Sequence, residues 1–136
     1  LAQKPSETVD TMLLTSTMFP VGAHKSAKDF LTFIENERKR TDDRHDILQQ
    51  KNKFVTYKGL PCLHYETLSS DRHTTKFLKT YGYVCRYPLE YVAFQFELSE
   101  RSNLTELLGS DKKMADKFFE DIELVPATVQ RLKTIK

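Results

Sequence analysis

Tryptophan is absent from this 136-residue chain, so its aromatic core has to be built from nine phenylalanines and six tyrosines. Glycine is scarce as well, with only four. They form no G-x-G-x-x-G and no phosphate-cradling loop, which leaves nucleotide and dinucleotide binding without support. No apolar run approaches the roughly 20 residues that cross a bilayer as a helix. Neither sign of charge dominates. Twenty-one basic and 19 acidic residues leave +2, whereas a nucleic-acid binder carries a clustered basic footprint. The one local basic run, Arg38-Lys39-Arg40, is followed at once by Asp42 and Asp43. It reads as a solvated helix end whose cations complement the negative end of the helix dipole.

What is present describes one water-facing domain. The hydrophobic fraction, 39%, is too high for a disordered chain. A chain of this length buries enough surface for one core. Residues 1–136 are therefore read as a single domain with its core at about 8–125. The polar lead-in Leu1 to Glu7 is read as a trimmed or processed end.

Thr8 to Phe19 reads as a strand, rich in threonine and apolar residues. Ser26 and Asp29 then give a helix-start signal. Ala27, Phe30, Leu31 and Ile34 recur on one helical face, predicting a helix over 27–40. Ile47 to about Leu68 is strand-like, with breaks expected at Asn52 and at Gly59 to Pro61. A proline there suggests an edge or a bulge. Ser69 to Lys76 holds no apolar residue and reads as a hairpin loop. Phe77 to Tyr87 is strand, Pro88 to Glu90 a turn. Between Tyr91 and Ser99, Val92, Phe94, Phe96 and Leu98 alternate with Ala93, Gln95, Glu97 and Ser99, predicting one buried and one wet face. Leu104, Leu107 and Leu108 suggest a short helical turn stopped by Gly109. Ser110-Asp111 then opens a second helix with the stripe Met114, Ala115, Phe118, Phe119 and Ile122. Leu124-Val125 is expected to form a last short strand. Adjacent strands flanked by helices predict an α+β fold with a central antiparallel sheet.

The chain has two cysteines, Cys62 and Cys85. Their midpoint falls inside the polar loop at residues 73 and 74. A symmetric hairpin therefore sets Cys62 opposite Cys85, Leu63 opposite Val84, His64 opposite Tyr83 and Glu66 opposite Tyr81. Directly opposed residues of a non-hydrogen-bonded pair are close enough for a disulfide. Such a bridge adds about 3 kcal/mol in the chain-entropy account and belongs to an oxidising compartment. The competing reading is two buried free thiols acting as small hydrophobes.

Candidate chemistry is sparse. Cys62 and His64 share a strand face, but no oxyanion hole or third orienting residue accompanies them, and bridging would remove the nucleophile. The histidines His24, His45, His64 and His73 show no paired zinc-ligand spacing and read as solvated loop residues. No acidic pair can be placed across a cleft. Tyr81, Tyr83, Tyr87 and Tyr91 gather in one sheet region, with Tyr57 and Tyr65 on the partner strand. They form either a binding patch, since tyrosine is favoured at interface anchors, or a cover packed over the sheet or beneath the first helix.

Gly82-Tyr-Val-Cys-Arg-Tyr-Pro88, the strand ending Ser99-Glu-Arg-Ser102 and the helix closing in Phe118-Phe119-Glu-Asp-Ile122 resemble the C-terminal half of PsbP-like domains. The order of elements extends that resemblance over residues 8–125. It implies an α/β/α sandwich, in a family of extrinsic photosystem subunits, Ran-binding proteins and bacterial envelope lipoproteins. No functional residue of that family carries over by position.

The sequence thus leads to one expectation. It is a non-enzymatic domain, exported to the periplasm or cell envelope, that binds a protein or small ligand. An N-terminal lipid anchor outside this chain would tether it. No cofactor, metal, catalytic residue, nucleic-acid partner or transmembrane segment is expected. The alternatives are a small enzyme with a pocket between the sheet and the first helix, or an intracellular Ran-binding-type adaptor.

Overall fold

The computed structural model describes residues 9–22, 26–40, 42–87 and 92–123. The expected Leu124-Val125 strand and the Pro88 to Glu90 turn lie outside them. Five antiparallel strands, β1 (Val9–Pro20), β2 (His45–Tyr57), β3 (Leu60–Asp71), β4 (Phe77–Tyr87) and β5 (Val92–Ser102), form one sheet in the order β1-β5-β4-β3-β2. Helix α1 (Ala27–Arg38) follows β1, and α2 (Gly109–Asp121) follows β5.

Strand alternation sorts the core into two clusters. Leu63, Tyr65, Val84 and Ala93 point to one face, where Phe30 and Leu31 of α1 cover them. Leu60, Cys62, Tyr81, Cys85, Phe94, Phe96 and Leu98 point to the other, under Ala115 and Phe119 of α2. Burying one large apolar side chain stabilises by about 1.5–3 kcal/mol, so Phe30 and Phe119, both fully buried, are the main attachments of their helices.

The expected α/β/α sandwich does not form; the molecule is dominated by its sheet. Among the described residues each face carries a single helix of 12 or 13 residues. A helix is about 10 Å wide, whereas five strands spaced about 4.8 Å apart span twice that. One helix therefore covers part of a face and cannot make a layer. The predicted helical stripes are also narrower than expected. α1 fully buries only Phe30 and Leu31, and in α2 Met114 and Phe118 stay exposed.

Local signals account for most element ends. Ser26 Oγ accepts from the Asp29 amide at 3.1 Å and caps α1. Lys58 (φ 56°) and Gly59 (φ 75°) take positive φ, the conformation of a two-residue type I′ hairpin turn. From that turn Lys58 Nζ donates to the carbonyls of Glu120 at 3.1 Å and Ile122 at 2.8 Å. A cation thus satisfies the carbonyls at the end of α2. Asn52 does not break its strand; it continues β2 opposite Tyr65. Pro61 lies in an inner strand but ahead of the first β3–β4 pair, Cys62 with Cys85, so its missing N–H costs that ladder nothing. β3 and β5 run longer than expected, to Asp71 and Ser102, both of which are buried. Leu104 to Leu108 forms no helical turn, and Gly109 begins α2 instead of stopping a helix. Without a Cβ, Gly82 lets β5 approach; a methyl group there would sit 2.0 Å from the Phe96 carbonyl oxygen.

Candidate functional site

The disulfide fixes the frame. Cys62 and Cys85 are bridged with Cα atoms 4.1 Å apart, both fully buried. The register around them pairs Leu63 with Val84, His64 with Tyr83 and Glu66 with Tyr81, as a symmetric hairpin requires. Bridged sulfur is no nucleophile, so the Cys62–His64 spacing carries no thiol chemistry.

Beside the bridge, aromatic side chains gather on the α2 face. Tyr57 stacks on Tyr83 with centroids 4.1 Å apart, and His64 lies 4.4 Å from Tyr83 with Nδ1 2.9 Å from the Gly82 carbonyl. Tyr81 is buried and donates to Asp116 Oδ1 of α2 at 2.6 Å. Burial first, then that carboxylate, pushes the Tyr81 phenol up; burial likewise pushes Tyr57 up to about 12. Tyr87 packs edge-on against Phe94. Tyr91 lies outside the described residues. Tyr65 is on the opposite face, with the Arg38 guanidinium 3.4 Å above its ring and its hydroxyl 2.7 Å from Glu97 Oε1. The tyrosines are thus split between the two faces, and those near the bridge pack largely under α2. What stays half-exposed is the row Tyr57, Tyr83 and His64, with Tyr87 further along β4.

Next to this row opens a basin of about 450 Å³, between β2, β3 and β4 and the segment entering α2. Lys51 faces Glu66 across the β2–β3 ladder. Lys112 Nζ reaches Glu66 Oε1 at 3.1 Å and lies 4.9 Å from the Tyr81 ring. Lys79 is buried at the floor, donating to Ser102 Oγ at 2.6 Å and the Leu104 carbonyl at 2.7 Å. Glu106 and Gln49 complete the polar rim. Behind Lys79, fully buried Glu100 accepts from the Leu108 amide at 3.4 Å. Desolvation first, then Asp111, raises its carboxyl to about 7. Alternating ammonium and carboxylate groups beside an aromatic row suit a polar ligand carrying both signs of charge.

A second charged cluster ties strand ends together on the α1 face. The buried Asp71 carboxylate accepts from Arg44 Nε at 3.0 Å and Arg101 at 2.5 Å, and from the His73 amide at 2.8 Å. The Arg44 bond first among these holds Asp71 well below the usual carboxylate range. Arg101 also donates to His45 Nε2 at 3.2 Å, while His45 Nδ1 lies 3.2 Å from Asp42 Oδ2. An imidazole accepting at Nε2 carries its proton at Nδ1, so both nitrogens are committed. His45 is therefore a structural link here, not a solvated loop residue. Among the described residues, no group of three or more His, Cys, Asp or Glu could hold a metal ion, and no helix is long and apolar enough to cross a membrane.

The basin went unread in the sequence, although one signal pointed to it. Phe77, Lys79, Tyr81, Tyr83 and Cys85 share a face of β4, and a lysine in that otherwise apolar row marks a polar site. Compared with known proteins, the chain matches no family model, no curated protein and no solved structure.

Proposed function

We propose that this chain is a non-enzymatic exported domain of the cell envelope, in the periplasm and tethered through a lipidated segment outside this chain. It binds a small polar ligand, or the polar end of a protein, in the basin over the α2 face. The observation that carries the reading is the buried Cys62–Cys85 bridge. Such bridges persist in oxidising compartments and are rare in the cytosol, which weighs against the intracellular adaptor. Beneath the start of α1 the sheet face is packed by Phe30, Leu31, Leu63 and Tyr65, and the space that opens at its other end, beside Arg38, Thr80 and Glu97, is about 200 Å³, smaller than the basin.

Thiol trapping in intact source cells tests the compartment. When the cells are quenched in acid and the chain is denatured in maleimide without reductant, so that both buried positions are reached, it should stay unmodified; double modification would contradict export. Binding is tested by thermal shift against free amino acids as zwitterionic probes. Stabilisation that Lys112→Ala removes supports the basin. No shift with any probe, or a shift that Lys112→Ala leaves unchanged, counts against it.

A further inference from the structure

An edge strand presents a row of unpaired backbone N–H and C=O groups, and proteins normally guard such a row with charge, proline or bulges. Among the described residues the sheet has two edges, β1 and β2. β2 is guarded: it carries Asp46, Lys51 and Lys53 and has a register shift between Ile47 and Gln49. From Thr11 to Pro20, β1 carries no charged residue and pairs with β5 without interruption. Proline comes only at its end. Three large apolar side chains there are exposed: Met12 at 38%, Leu13 at 60% and Met18 at 43%.

We infer that β1 is a self-association edge, which pairs antiparallel with β1 of a second copy of this chain to form one ten-stranded sheet. This does not depend on the basin or on export. The occupant follows from the strand's own pattern. A two-fold axis at Thr15 sets Met12 opposite the partner's Met18 on the α2 face. On the α1 face it sets Leu13 opposite the partner's Thr17 and Thr15 opposite its own copy. Each exposed apolar side chain gains a cross-strand neighbour, and Thr–Thr pairs are favourable. The same residues meet on both sides, as a two-fold interface demands. No like charges meet anywhere along the ladder, and the net charge of +2 offers little long-range repulsion. β2 cannot do this. A self-pair centred on Asn52 would set Lys51 against the partner's Lys53.

Sedimentation of the oxidised chain from micromolar to submillimolar concentration tests the inference. Wild type should double in mass as concentration rises. Two double variants then read the register. L13K/T17K sets lysine against lysine across the two-fold and should remain monomeric throughout. L13K/T17E sets lysine against glutamate and should still dimerise. Both positions are exposed, so the fold should tolerate either variant, and circular dichroism checks this. Should either fail to fold, M12K/M18K against M12K/M18E repeats the test on the other face. A wild type that is monomeric at every concentration, or a dimer on which the paired variants act alike, overturns the inference.

Discussion

The β3–β4 hairpin and the β1 strand are built from similar residues but meet solvent in opposite ways. The hairpin is closed three times over, by the Cys62–Cys85 bridge, by the approach that Gly82 permits and by a helix on each face. Among the described residues β1 is paired with β5 alone, and its side chains from Thr11 to Pro20 are exposed or half-exposed. Both run through threonine and large apolar residues. The difference lies in what the neighbours cover, which shows that strand propensity makes a strand while topology decides whether it is core or interface.

The comparison breaks first at its centre. Gly82→Ala forces a methyl group against the Phe96 carbonyl, a backbone atom that cannot turn aside. We expect a loss of about 3 kcal/mol or more in urea unfolding, the upper end of overpacking costs. The same substitution at Gly109, where a Cβ meets nothing within 4 Å, should not destabilise. The bridge comes next. Cys62→Ala/Cys85→Ala frees a loop of sequence separation 23 and should cost about 3 kcal/mol, read as a lower thermal midpoint.

A smaller, pH-dependent effect belongs to the region between centre and edge. Glu100 on β5 faces Asp111 of α2 and Lys79 of β4, with Met12 of β1 opposite it in the ladder. Its folded pKa is raised, so its contribution to stability is full below the unfolded value. That contribution is lost as pH rises through about 7. Stability measured by urea unfolding should therefore decline between about pH 4.5 and 7, and Glu100→Gln should flatten the decline. Asp71 acts in the other direction. Its folded pKa is depressed, so the stability it contributes is present above the ordinary carboxylate range and is lost as pH falls below it. The smallest effect is expected at the edge. Leu13→Lys should change stability by no more than about 0.5 kcal/mol in dilute solution.

Much of the centre was legible in the sequence because its markers are local and symmetric. Two cysteines equidistant from a polar loop define a register, and four alternating apolar residues, Val92, Phe94, Phe96 and Leu98, define the face of β5. The placing of Tyr65 was legible too and was missed. It stands three residues after Cys62, so alternation puts it on the opposite face from the bridge. The helical stripes misled because periodicity shows which side of a helix is apolar, not how much sheet one helix can cover. The basin was hidden for another reason. Lys51, Glu66, Lys79 and Lys112 are far apart in sequence, and only the β2–β3–β4 register and the docking of α2 bring them together. The Asp71 cluster, drawing on β2, β3 and β5, was hidden in the same way.

Hydrogen exchange, resolved by strand on the oxidised chain at low and high concentration, tests most directly the claim of a closed centre and one open edge. The account predicts that β3 and β4 amides exchange slowest at both concentrations. It predicts that β1 amides exchange faster in dilute solution and gain protection as the chain is concentrated, while β2 amides do not. A β1 strand already as protected as β4 in dilute solution and indifferent to concentration would contradict it.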